Sequence, residues 1–248
     1  MKTTKFVIAF LLVVLIVSLF ISMQNQVERL GFQAKQFENP HKTREKTIPI
    51  VAVNSETNEG NIGRIKLRLQ TGESDILIET NPFLGTDLQF SNRIAVMTAK
   101  DFTKNQARNV DFLFSYEIEG DLVGGRSAGA AAALVTIAAL ENKEIREKAA
   151  ITGTITPDGS IGEVRGVLEK AQALANNDYN LFLVPPGQSS TIYYESTEKE
   201  HKRPGGFIVE DTHLMPKRIN LSKYFKENYG MEVIEVSSIK EAAAIMLR

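Results

Sequence analysis

The chain contains no cysteine, which removes disulfides, thiolate nucleophiles and cysteine-held metals from consideration at once. Histidine is scarce. His41, His201 and His213 stand far apart, show no metal-ligand spacing, and fall in segments that read as weakly structured. A serine nucleophile here would therefore need a base other than imidazole. Neither sign of charge is in excess, with 29 Lys and Arg against 30 Asp and Glu for a formal net charge of −1. No basic stripe is interleaved with aromatics, so the sequence gives no sign of nucleic acid as a partner. No Gly-x-x-x-x-Gly-Lys-Ser/Thr loop is present, and no pattern calls for a cofactor or a metal. What remains is ordinary globular material: 248 residues, 43% apolar and 24% charged, enough for a sizeable core.

One segment is biased. After Lys2 and Lys5, Phe6 to Ile21 is apolar apart from Ser18. As a helix it would span roughly 24–27 Å with its flanks, the short end of a membrane-crossing length. No small-x-small cleavage site follows, so an uncleaved anchor over residues 1–23 is the expectation and a signal sequence the alternative. Lys2 and Lys5 favour a cytoplasmic start and an extracytoplasmic remainder. Arg29, Lys35, Lys42, Arg44 and Lys46 on the other flank weaken that asymmetry. Residues 24–46 read as a polar juxtamembrane linker, and 47–248 as the folded part.

Within the folded part, Ile48 to Val53 and Ile62 to Leu69 are strand-like, the second by strict alternation of Ile65, Leu67 and Leu69 with Arg64, Lys66 and Arg68. Strands are also expected over Asp75 to Glu79, Val110 to Ile118, Ala149 to Ile155, Leu181 to Val184 and Met231 to Val236. Helices are expected over Leu88 to Phe102, from Ser127 to Leu140, and over Gly166 to Asn177 and Ile239 to Leu247. Gln188 to Gly230 reads as an irregular insertion or flap. Leading strands followed by strand–helix alternation indicate an α+β fold with a mixed sheet. Asn220-Leu221-Ser222 is a formal glycosylation sequon.

Two residues stand out. Ser127 follows Gly124-Gly125-Arg126 and opens an almost unbroken apolar helix, where free N–H groups and the helix dipole favour developing negative charge. Lys170 falls on one helical face with Val167, Ala171 and Leu174. An ammonium on a buried face must pair, reach water or lose its proton. A nucleophile and its base is one reading of this pair, with the N–H groups of Ser127 and Ala128 receiving the oxyanion. The other is a serine N-cap and a lysine whose stem is buried and whose head reaches solvent. The spacing itself leaves both open.

Three separated blocks carry a resemblance. These are Arg126-Ser127-Ala128-Gly129 with its alanine-rich helix, Ile151-Thr152-Gly153-Thr154-Ile155-Thr156, and Gly159 through Gly166-Val167-Leu168-Glu169-Lys170. In order and spacing they resemble the proteolytic domain of Lon proteases. The resemblance implies a Lon-type mixed-sheet domain over 47–248 in which Ser127 is the nucleophile and Lys170 the general base. It also implies that Thr152 holds the two in geometry, that unfolded protein or peptides are the substrates, and that copies assemble into a ring. Two departures accompany it: Arg126 stands where the family has proline or aspartate, and Gly124 and Gly125 replace a nearby acid, leaving Glu117, Glu119 and Asp121 as upstream candidates. The family's ATPase has no counterpart in this chain, so an ATP-independent serine endopeptidase is expected. A catalytically silent, membrane-tethered peptide-binding module is the competing expectation.

Overall fold

The computed structural model describes residues 44–104, 107–120, 122–202 and 208–248, together with Ser18. The expected anchor (1–23) and nearly all of the expected linker (24–46) thus lie outside the described residues, as do His41 and Asp121. Among the described residues no helix is long and apolar enough to cross a membrane.

Strand β1 (Arg44–Val53) pairs antiparallel with β2 (Gly60–Thr71) over its whole length, from Arg44 opposite Leu69 to Val53 opposite Gly60. The strand takes in Arg44 to Lys46 ahead of the apolar run because cross-strand partners are available there. Arg68 bonds the Glu45 carboxylate, and Lys46 pairs with Glu144. The alternation in β2 is realised as written, with Ile65, Leu67 and Leu69 buried and Arg64 and Arg68 exposed. With β3 (Ile76–Ile78) and β5 (Val110–Glu117), the order is β1-β2-β5-β3, antiparallel except for the β3–β5 pair. Between β3 and β5 come β4 (Phe83–Leu84) and helix α1 (Thr86–Thr103). A short β6 (Leu122–Val123) runs parallel to β4.

Helix α2 (Gly129–Glu141) is the centre of the molecule, with every residue from Ala130 to Ala139 fully buried. A helix apolar on all sides has no face for water. Its run of alanines lets α1 and the β1–β2 sheet approach closely. The polar exception, Thr136, donates its hydroxyl to the Ala132 carbonyl at 2.6 Å and so is satisfied.

The strand expected from Ala149 to Ile155 is broken. β7 (Ala149–Ile151) ends, Thr152 keeps a single N–H bond to the Leu183 carbonyl, Gly153 leaves the ladder, and β8 (Thr154–Ile155) pairs instead with β9 (Ile161–Gly162). Helix α3 (Val167–Asn176) follows, then β10 (Leu181–Val184), parallel to β7 on one side and to β13 (Glu232–Glu235) on the other. Helix α5 (Ile239–Met246) closes the chain. The architecture is mixed α/β, with a four-stranded mixed sheet, a three-stranded parallel sheet and three two-stranded pairs among the described residues.

The segment from Gln188 to Gly230 is not irregular. It forms a hairpin of two thirteen-residue strands, β11 (Ser190–Lys202) and β12 (Ile208–Asn220), and then helix α4 (Leu221–Tyr229). His201 and His213 therefore lie in strands. The side chain of Asn220 in the sequon accepts the Lys223 N–H at 2.8 Å and caps α4, while Leu221 is fully buried. Its amide is thereby committed to the helix end.

Candidate active site

Ser127 does not cap the long helix. It sits inside a single 3₁₀ turn, Arg126–Ala128, and α2 begins only at Gly129. Neither helix start uses a side-chain cap, so the capping reading of Ser127 is removed. The turn is gripped by the broken strand opposite. The Ser127 carbonyl accepts the Gly153 N–H at 2.9 Å and the Thr152 hydroxyl at 3.3 Å, while Ala130 N–H donates to the Gly153 carbonyl at 3.0 Å. Thr152 keeps one tie to the sheet, its N–H donating to the Leu183 carbonyl at 3.0 Å, but its hydroxyl and the whole of the Gly153 main chain are taken by the serine turn, and β7 stops there. The approach is close enough that a Cβ on Gly129 would lie 2.9 Å from a methyl of Ile155. Neither the Ser127 nor the Ala128 N–H bonds to another element of the backbone.

Lys170 is 3% exposed, so its head does not reach bulk water. Val167, Ala171 and Leu174 anchor α3 in a cluster with Phe182, Leu221 and Phe225, and this packing holds the lysine inward. Its Nζ donates to Thr152 Oγ1 at 3.1 Å. Burial pushes the amine down from 10.5 to about 8, against a smaller opposing effect of the Glu169 charge. Thr152, 1% exposed, is therefore the link: it accepts from Lys170 and donates to the Ser127 main chain. Lys170 makes no direct hydrogen bond to the Ser127 hydroxyl; the two residues line one cleft of about 1240 Å³.

The acid near the serine comes from a place the sequence did not point to. Asp87, in the first turn of α1, accepts the Gly125 N–H at 2.7 Å on Oδ2 and the Leu88 N–H at 2.9 Å on Oδ1. It pins the Gly124-Gly125 loop, in which Gly125 has φ +97°, a conformation that favours glycine. The upstream candidates serve otherwise. Glu117 pairs with Lys66 at 3.0 Å, and Glu119 lines a neighbouring cavity of about 260 Å³. The only advance signal for Asp87 was an acidic residue at a helix start, too common to select it. Arg126 is exposed and lines the cleft.

Fold and site together define a serine-peptidase domain: a serine turn at the mouth of a buried helix, with a desolvated lysine in the same cleft. The chain belongs to the family of the Lon protease (S16) C-terminal proteolytic domain, whose model matches residues 55–194. No curated protein matches the chain.

Proposed function

We propose that the protein is a serine endopeptidase that hydrolyses unfolded proteins or peptides through a Ser127–Lys170 dyad without ATP. One observation carries the reading: a lysine amine that burial leaves readily deprotonated lines the cleft that holds Ser127. In the neutral form Lys170 takes the Ser127 proton as Oγ attacks the scissile carbonyl carbon. The negative charge on the tetrahedral oxygen falls to the N–H groups of Ser127 and Ala128. The Lys170 ammonium then protonates the leaving amine, and water, activated by the amine, releases the acyl group. Thr152 and Asp87 are positioning residues, acting through Lys170 and through the glycine loop. The absence of a phosphate-binding loop supports independence from ATP. The apolar run Phe6 to Ile21 supports tethering to a membrane with the peptidase outside.

A serine-directed covalent probe tests the assignment, read by mass spectrometry on the full chain with and without ATP. Labelling at Ser127, equal in both arms, is expected. No labelling, with peptides still bound, would favour the silent module, which the lack of a direct Lys170–Ser127 bond otherwise motivates.

Two further outcomes follow from the positioning roles. Thr152→Val keeps the shape but removes the acceptor for the Lys170 ammonium. The expected loss is about 10- to 100-fold in kcat, since a hydrogen bond to a charged group is worth about 1.5–3 kcal/mol. The amine also falls further, so the rising limb of the pH–rate profile moves to lower pH. Asp87→Ala frees the Gly124-Gly125 loop and is expected to lower kcat about tenfold with KM nearly unchanged, because a charge-assisted bond to backbone is lost. Asp87→Asn, which still offers one acceptor oxygen, should retain more. Steady-state kinetics on one fluorogenic peptide checks both residues.

A further inference from the structure

The catalytic cleft does not end at α3. A second cavity of about 620 Å³ adjoins it and shares Asn58, Leu168, Glu169 and Tyr193 as lining. It runs along the α3 face turned away from Lys170, past Gln172 and Asn176, to a wall made by Ile219 and Tyr224. That wall lies beyond residue 194, where the family match ends, and is built by β12 and α4.

The chemistry of this extension is one-sided. Its charged lining residues are Glu59 and Glu169, and no lysine, arginine or histidine lines it. Neither carboxylate belongs to an ion pair among the described residues. Two tyrosines, Tyr193 and Tyr224, line the same space, as do the side-chain amides of Asn58, Gln172 and Asn176. Tyr224 is held by an edge-on contact with Phe225, whose ring is fully buried, at 5.1 Å between centroids. Tyr229 accepts a bond from Gln172 at 2.9 Å, which ties α4 to α3. A rigid, aromatic-walled hollow with unpaired carboxylates suits a cation on a long apolar stem. A peptide bound across Ser127 would carry its flanking side chains toward such a hollow, because the two cavities share four lining residues.

We infer that the cavity between α3, Glu59 and Tyr224 is a subsite that receives a lysine or arginine side chain of the substrate, away from the scissile bond. The inference rests on the peptidase reading of the neighbouring cleft, and its test separates the two. Fluorogenic peptides sharing one scissile bond would carry Lys, norleucine or Glu at each flanking position in turn. The full chain should cleave the best-placed Lys peptide about fivefold more efficiently than the norleucine one, as one exposed cation–π contact and a surface ion pair allow, with the difference in KM. Glu59→Gln should weaken the preference, leaving the part due to Glu169 and the tyrosines, and Glu59→Lys should remove it or reverse it toward Glu. Both are surface changes away from the catalytic residues.

The same peptides are titrated onto Ser127→Ala protein by fluorescence anisotropy. Turnover with no preference at any position, or a preference that survives Glu59→Lys, would overturn the subsite and leave the peptidase standing. Absence of turnover, with Ser127→Ala still binding the Lys peptide more tightly than Ser127→Ala/Glu59→Lys, would overturn the peptidase and leave the subsite.

Discussion

Ser127→Ala is expected to lower kcat on unfolded casein by roughly four to six orders of magnitude, the scale on which removing an activated serine acts. The effect should be this large because, on the proposed mechanism, the other hydroxyls that line the cleft, those of Ser55, Thr154, Thr191 and Tyr193, do not stand in the serine turn. Lys170 can generate a nucleophile from Ser127 or, far less effectively, from water. The fold should be untouched, since Ser127 is part-exposed in its turn and its grip on Gly153 and Thr152 is through the main chain. Equal melting temperatures for mutant and parent, alongside the lost activity, would separate chemistry from stability. A mutant that cleaves casein at more than a few per cent of the parental rate would remove Ser127 from the mechanism.

Lys170→Met is expected to abolish activity comparably and yet to make the protein more stable at neutral pH. Folding lowers this amine from 10.5 to about 8. Between those values the unfolded chain binds more protons than the folded one, so the lysine's contribution to stability rises with pH across that window. Below about 8 the lysine is charged in both states, and the folded state bears the whole cost of burying the charge. At about 1.4 kcal/mol per tenfold, the upper bound is about 3 kcal/mol, reduced by the polar contact left open at Thr152. A gain of about 1–2 kcal/mol, or several degrees in Tm for a domain of this size, is expected at pH 6.5, shrinking toward pH 10. In the parent, kcat/KM should climb through pH 8 as the amine sheds its proton. Melting curves of both proteins at the two pH values check the first expectation, and a pH–rate profile checks the second. A mutant less stable than the parent at pH 6.5 would mean that the lysine supports the fold, and the case for a deprotonated base would fail with it.

Arg126 beside Ser127 departs from the family pattern. In the structure its side chain is exposed at the cleft, while the acid absent from Gly124 and Gly125 is supplied by Asp87 from another helix. The departures at these positions thus concern how the loop is held. They leave the buried amine as it is.

Elements whose burial follows a local period were legible in the sequence. The alternation of β2 and the apolar run of α2 appear in the structure nearly to the residue, because each pattern states which face meets the core. Ser127, Thr152 and Lys170 could be picked out because each sits in a distinctive local block. The hairpin β11–β12 could not: a two-stranded ribbon carrying Glu195, Glu198, Lys199 and Glu200 has little apolar alternation to announce it. The break after Ile151 was hidden for the opposite reason, since Thr152 and Gly153 continue a good strand pattern, and Gly153 turns from the sheet to the serine turn that offers its main chain partners.

What the chain determined by itself was therefore which residues are candidates for the chemistry and the buried helical face on which Lys170 lies. Tertiary packing decided the rest: which oxygen the Lys170 amine bonds, that Asp87 crosses from α1 to hold the glycine loop, and that α4 extends the cleft. Each of these depends on residues far apart in sequence meeting in space, and such meetings leave no period in either segment alone.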